Sequence, residues 1–261
     1  MKKALLLIPA VALTLFVSSC KKEVPQQEIN NISTTYKPVV MKFSATWCGA
    51  CGSVGYPVFK DIMAQHGDKI TVLNVNTGDD INTGNPPGSS GLQSFFDVSG
   101  IPSCGVNLSA GFYPDVNDIN DTLNLVRTQH PKAKAGIGFS MKIEGNNAIV
   151  TTKTVAFEAL TGRYSLAVYL TEDNITEEQT GLAGSGPGHF DHIFRAAENG
   201  ESWGVPIITT SCEAGAVFNK THTIAIPSDV RDRNNLHPVV VLYKIDPTTS
   251  MPVDIVNSNH N

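Results

Sequence analysis

The sequence predicts an α/β domain followed by an all-β sandwich domain, and three observations carry that reading. From residue 37 to about 131, short apolar runs alternate with helix-like stretches, the βαβ order of a sheet covered by helices. From about 133 the hydrophobic period changes from helical to alternating, as in half-buried strands. Between the first apolar run and the first helical stretch stands Trp47-Cys48-Gly49-Ala50-Cys51-Gly52, around which the first half is arranged.

The first twenty residues read as a bacterial lipoprotein leader. Lys2-Lys3 is charged, Ala4 to Val17 is apolar, and Val17-Ser18-Ser19-Cys20 fits a lipobox. The apolar stretch is too short and wrongly flanked for a membrane span. Cutting before Cys20 would remove residues 1–19 and leave the lipids on Cys20. An ordinary secretory signal is the alternative, and the small residues at 18 and 19 count against it. Residues 20–36 are polar and without period, so they read as a tether between the membrane and the first domain.

Residues 37–131 form the first domain. A strand over 38–44 leads into a helix from about 49 to 66, which Pro57 should kink or whose ladder it should break. Thr71 to Val75 is a short apolar strand. The stretch Gly78 to Gly88, rich in Asp, Asn, Gly and Pro, is a loop. Ser89 or Ser90 is placed to cap a brief helix with Leu92, Phe95 and Phe96 inward. A strand follows at Ile101-Pro102. Val116, Ile119, Leu123 and Val126 then recur at helical spacing, and that helix must stop before Pro131.

Residues 132–261 form the second domain. Ile137, Phe139, Met141 and Ile143 alternate, and Glu144-Gly145-Asn146-Asn147 makes a turn. Alternation returns over Tyr164 to Leu170, over Phe218 to Ile226 and over Val239 to Ile245. Repeated half-buried strands separated by turn signals point to an antiparallel, immunoglobulin-like sandwich.

The formal net charge of −5 supplies no basic surface for nucleic acid. Lys21 and Lys22 are too few for a polybasic membrane patch. Of the five cysteines, four remain beside Cys20: Cys48, Cys51, Cys104 and Cys212. An exported compartment is oxidising, so thiols there are paired or redox-active.

A Cys-x-x-Cys that ends a buried strand and opens a helix is suited to thiol chemistry. Unpaired backbone N–H groups and the positive end of the helix dipole stabilise a thiolate at Cys48. Two intervening residues put Cys51 within reach to resolve a mixed disulfide. Zinc binding would need a second Cys or His pair at ligand spacing, and none follows. No other metal set and no cofactor motif stands out; the glycines from Gly181 to Gly188 lack the Gly-Lys-Ser/Thr of a phosphate loop.

This layout resembles the thioredoxins. Val98-Ser99-Gly100-Ile101-Pro102-Ser103 resembles the thioredoxin loop whose cis-proline faces the cysteine pair. The resemblance implies that Cys48 attacks, that Cys51 resolves, and that Trp47, Ile101 and Pro102 flank the substrate peptide. Two departures stand out. Thioredoxins carry a buried acid six residues before the first active cysteine; here that position is Lys42, which would favour the Cys48 thiolate without serving as the same proton acceptor. The helix-kinking proline is displaced to Pro57.

The lipobox, Trp-Cys-x-x-Cys and β-rich second half together resemble the lipoprotein family named for the twenty-eight-kilodalton outer membrane protein. Its members carry a His-Val-Leu-Arg-like segment, matched here by His192-Ile193-Phe194-Arg195. The resemblance implies a lipid-anchored protein of the outer membrane of a Gram-negative bacterium, periplasmic or surface-exposed. It implies no known reaction.

Three roles are open for Cys104, two residues after Pro102: a third redox thiol, a bridge to Cys212, or a buried free cysteine. His189 and His192 lack an evident third metal ligand, so a hydrogen-bonded role beside Arg195 is expected. The function expected is thiol–disulfide exchange on protein cysteines. The alternative is a non-catalytic adhesion or assembly lipoprotein in which the first domain is a scaffold with a structural disulfide.

Overall fold

The computed structural model describes residues 29, 32–184 and 187–260. The expected leader over 1–19, Cys20 and most of the tether lie outside the described residues.

The first half contributes β1 (Val39–Ser44), α1 (Tyr56–His66), β2 (Thr71–Asn76), α2 (Ser89–Phe95), β3 (Ser103–Val106) and α3 (Val116–Gln129). Strand β1 lies between β2, parallel to it, and β3, antiparallel. A π-helical turn, Cys51–Gly55, leads directly into α1, with Pro57 in the first turn. Because the helical run already begins at Gly49, Pro57 stands inside it, and the ladder disturbance expected there takes the form of the π-helical turn just before the proline. Helix α2 departs from the expected cap: Gly88 occupies the N-cap position at φ 93°, and Ser89 is the first helical residue. A Cβ at Gly88 would run into Ala197, so close packing, rather than a serine cap, sets this helix start. Helix α3 is capped by the Asp115 carboxylate, which accepts from the N–H groups of Asn117 and Asp118 at 2.8 and 3.3 Å.

The second half is mostly β. Its strands are β4 (Ala135–Glu144), β5 (Asn147–Ala156), β6 (Leu160–Thr161), β7 (Arg163–Glu172), β8 (Ile175–Glu177), β9 (Gly188–Phe190), β10 (Ile193–Ala197), β11 (Val205–Ile208), β12 (Ser211–Cys212), β13 (Val217–Ala225), β14 (Leu236–Ile245) and β15 (Pro252–His260). The expected turn at 144–147 is present, with Gly145 at φ 59°, and joins β4 to β5 in a three-stranded antiparallel sheet with β13.

The other large sheet runs through both halves. Its order is β15-β14-β7-β10-β2-β1-β3, with β11 beside β7. The junction is β10, which pairs parallel to β2 through Ile193 and Asn74 and antiparallel to β7. One face of the first-half strands is covered by α1 and α3: Val40, Val72 and Val106 pack against Phe59, Ile62, Ile119 and Leu123. In the second half, Leu166, Val168, Val240 and Leu242 pack against Ile137, Val150 and Ile224 of the three-stranded sheet. A further core is common to both halves. Met41, Phe43 and Leu73 join Tyr169, Phe194, Val241 and Tyr243 there, with Leu92 and Phe96 of α2.

Strands β7 and β14 are therefore buried on both faces, not half-buried as the alternation suggested. The run Val239-Val240-Val241-Leu242-Tyr243 fits such a strand, because both faces must then be apolar.

Candidate functional site

At the end of β1 the chain turns, with the Cys48 N–H donating to the Ala45 carbonyl at 3.2 Å. Cys48 and Cys51 form a disulfide with their Cα atoms 5.2 Å apart. The Cys51 N–H points at Cys48 Sγ, 3.1 Å away. This N–H is shared between the sulfur and the Cys48 carbonyl, 3.1 Å away, in the first helical turn, where the regular ladder has not yet begun. It is aimed at the sulfur that would carry charge in the reduced protein. Cys48 is 7% exposed and Cys51 is fully buried.

Ile101 and Pro102 meet the pair from the other side. Their peptide bond is cis, and the Ile101 carbonyl lies 3.6 Å from Cys48 Sγ. Gly55, in the π-helical turn, leaves room for the Pro102 ring: a Cβ there would stand 3.1 Å from Pro102 Cβ. Trp47 is 60% exposed, and its indole N–H donates to the Gly78 carbonyl at 3.1 Å. Fold and local hydrogen bonds thus bring together Trp47, Cys48, Cys51, Ile101 and Pro102.

The adjoining loop is held by Asp79, which accepts from the Thr46 N–H at 2.9 Å, from the Asn76 amide at 2.7 Å and from the Ile81 and Asn82 N–H groups. Arg195 anchors the same loop to the second half. Its buried guanidinium is 2.7 Å from the Glu172 carboxylate and donates to the Ile81 carbonyl and Asn82 Oδ1, both at 2.6 Å. Glu172 also accepts from the backbone N–H groups of Arg231 and Asp232.

The second half also supplies a cover over the cysteine turn, which the sequence reading did not anticipate. Gln179 Nε2 lies 3.0 and 3.1 Å from the carbonyls of Thr46 and Cys48. The Thr180 N–H donates to the Thr46 carbonyl at 2.8 Å. The Thr180 carbonyl fills the place a Cβ on Gly52 would take, and a Cβ on Gly181 would collide with the Gly49 carbonyl. Two glycines facing each other across this contact, Gly52 and Gly181, were its available signal.

The other predicted groups lie apart from the pair. Cys104 and Cys212 are both free, in separate apolar clusters. Burial, and secondarily Asp118, pushes the Cys104 thiol up to about 12. Lys42 is 3% exposed, with its ammonium 5.5 Å from the centre of the Phe59 ring and 5.8 Å from that of Phe190. Desolvation draws its pKa down to about 8, against a smaller upward pull from Asp79. His192 sits at φ 58° and donates its N–H to Asp173 at 2.6 Å, while His189 Nδ1 is 3.1 Å from Thr176 Oγ1. Among the described residues no group of three or more His, Cys, Asp or Glu side chains is arranged to hold a metal, and no helix is long and apolar enough to cross a membrane.

Comparison with known proteins gives two family matches. The family described as Outer membrane protein Omp28 matches residues 89–258, and Thioredoxin matches residues 18–104. A thioredoxin of Mycolicibacterium smegmatis is 46% identical over 46 residues, 18% of this chain and 40% of that protein. The chloroplastic thioredoxin X of Arabidopsis thaliana is 30% identical over 82 residues, 31% of this chain and 40% of that protein. The chain thus spans well under half the length of these two curated relatives. HBP35 of Porphyromonas gingivalis has a similar structure, with TM-score 0.66 and 15% identity over 88% of this chain and 76% of that one. At that identity the likeness is one of fold. The first half is thioredoxin-like and is followed by a mostly β domain.

Proposed function

The chain belongs to the Omp28 family of outer membrane proteins, and we propose that it is an envelope thiol–disulfide exchange protein acting on protein cysteines. In the reduced state the Cys48 thiolate attacks one sulfur of a substrate disulfide. That S–S bond breaks, the other substrate sulfur leaves as a thiolate, and a mixed disulfide joins Cys48 to the substrate. The Cys51 thiolate then attacks Cys48 Sγ, forming the Cys48–Cys51 disulfide and releasing the second substrate thiolate. The substrate gains two electrons and the pair loses two; the same steps reversed oxidise a dithiol.

The observation that carries this reading is the Cys51 N–H held 3.1 Å from Cys48 Sγ, at a helix start that favours the thiolate over the thiol. The adjacent Ile101 carbonyl, 3.6 Å from the same sulfur, is positioned for strand-like pairing with a substrate peptide. Lys42 is not part of the machinery in this reading, because it packs between Phe59 and Phe190. We place the protein on the membrane through lipid on Cys20, after loss of residues 1–19, with residues 37–131 and 132–261 as its two domains. Mass spectrometry of the N-terminal peptide tests the lipid.

Equilibration with glutathione or dithiothreitol buffers measures the couple. A potential between about −120 and −270 mV, with a mixed disulfide trapped by Cys51→Ser and absent from Cys48→Ser, is the expected result. A potential below about −300 mV with no trapped adduct overturns the proposal. That outcome selects the second reading, a non-catalytic binding lipoprotein with a structural disulfide. The burial of the pair under Gln179 and Thr180 favours that second reading.

A further inference from the structure

Beside α1, and outside the cysteine pair, lies a cleft of about 320 Å³ closed on its far side by β9. Its floor carries Lys42 and Asn74, which face each other in register across β1 and β2. Both are more than nine-tenths buried. Among the described residues the Lys42 ammonium has no carboxylate at ion-pair distance and no hydrogen-bond acceptor; Asp79 acts on it from farther away, and it packs on the Phe59 and Phe190 rings. The Asn74 side-chain oxygen is likewise without a hydrogen-bond partner.

Two polar side chains unsatisfied at one place is an expensive arrangement. A buried ammonium without a counter-ion costs several kcal/mol, and two aromatic faces return only part of that. Such groups are retained where something else satisfies them. The cleft wall is apolar, with Phe59, Met63, Val72 and Phe190, so the complement has an apolar body and one polar end. That end accepts hydrogen bonds and carries one negative charge, to match a single lysine.

We infer that this cleft binds a small monocarboxylate with an aromatic or branched aliphatic body, its carboxylate on Lys42 and Asn74. The volume lies at the small end of ligand pockets, which suits a body of one ring or one short chain. The oxygen and NH2 of the Asn74 amide exchange places by a half-turn of the amide, so the position of the unpartnered oxygen then presents an NH2 as the second donor. Asp191 and Lys60 both line the cleft and offset each other, so the buried Lys42 is the one uncompensated cation and matches a single negative charge. Tyr56 shapes the entrance: its hydroxyl donates to the His189 carbonyl at 3.2 Å and accepts the His189 N–H at 3.0 Å, fixing β9 against α1. The site stands independently of any exchange reaction at Cys48.

Calorimetric titration of the full chain with phenylacetate, 3-methylbutanoate and hexanoate tests this, with phenylacetamide as the neutral isostere. At least one carboxylate is expected to bind saturably, and the amide at least about tenfold more weakly than phenylacetate, the loss of one charge-assisted hydrogen bond. Lys42→Met is expected to abolish the difference between acid and amide while the circular dichroism spectrum is retained. No saturable binding by any of the three acids overturns the site. Equal affinity for phenylacetate and phenylacetamide in the unaltered protein overturns the role of Lys42, whether or not the variant folds.

Discussion

Gln179 holds its side-chain amide 3.1 Å from the carbonyl of Cys48, across 131 residues of sequence. A residue of the second half thus bonds to the backbone of the cysteine that opens the helix. The contact is tight because both partners give way. Gly52 yields the space that the Thr180 carbonyl occupies, and Gly181, at φ +80°, lies flat on the Gly49 carbonyl. The β-rich half therefore forms part of the wall around the disulfide.

Opening that wall should change reactivity at Cys48 before it changes the fold. Gln179→Ala removes one donor from the Thr46 and Cys48 carbonyls, which keep their backbone donors, and is expected to cost about 0.5–1.5 kcal/mol. Gly52→Ala forces the Gln179–Leu182 segment outward, at about 1–3 kcal/mol. Both variants should be reduced by dithiothreitol several-fold faster than the parent, with urea unfolding reporting the stability loss. Unchanged reduction rates in both would mean that the segment does not limit access.

The two remaining thiols should separate cleanly. Cys104 is fully buried and its thiol is pushed up to about 12, whereas Cys212 is half-buried on β12. Iodoacetamide on the folded, non-reduced protein is expected to label Cys212 and leave Cys104 untouched until urea unfolds it. Peptide mapping reads the result, and native-state labelling of Cys104 would contradict its burial.

Arg195 and Glu172 share a prediction because neither is solvated. Glu172→Gln leaves a buried guanidinium without its counter-charge, so a loss of about 3–5 kcal/mol is expected in urea unfolding. Arg195→Met with Glu172→Leu removes both charges and should lose less than Glu172→Gln alone. A double variant worse than the single would show that the hydrogen bonds to Ile81 and Asn82, not the ion pair, hold the loop.

Much of the first half was legible because its signals are local. The Cys48–Cys51 spacing and the helical spacing of Ile119, Leu123 and Val126 are local, and the structure places them as read; the strand expected at Ile101-Pro102 begins instead at Ser103, because proline has no N–H for the ladder. The start of α2 was misread because Gly88 is demanded by the methyl of Ala197, more than a hundred residues away. The sharing of a sheet between the halves was hidden for a similar reason. Alternation over Tyr164, Leu166, Val168 and Leu170 reports one covered face, and Ala167 and Tyr169 on the other face look unremarkable alone. They are buried in the core that Met41, Phe43 and α2 of the first half complete. Gln179 carried no signal at all, since a polar residue in a glycine-rich stretch is the usual composition of a solvated loop.

Lys42 supplies the last prediction, which concerns pH. An ordinary lysine holds its proton to pH 10.5, and burial lowers that to about 8 in the folded protein. Between those values the unfolded chain binds more protons than the folded one, so this group's contribution to stability rises with pH across the window. Below about pH 8 the penalty of the buried charge is fully present; above 10.5 it is gone. Lys42→Met keeps the length of the side chain and removes the charge, so it should stabilise the protein at pH 7 by about 3 kcal/mol. The gain should shrink steadily from pH 8 to 10.5. Buried tyrosines, among them Tyr169 and Tyr243, whose ionisation burial pushes upward, also respond to alkali, but they are common to both proteins and cancel in the difference. Urea unfolding of the pair at pH 7, 9 and 10.5 measures it. A gain that is constant with pH would mean that the ammonium is not desolvated by the cleft. If the gain does follow that window, the lysine is a liability that folding alone does not explain, as a residue retained for a ligand would be.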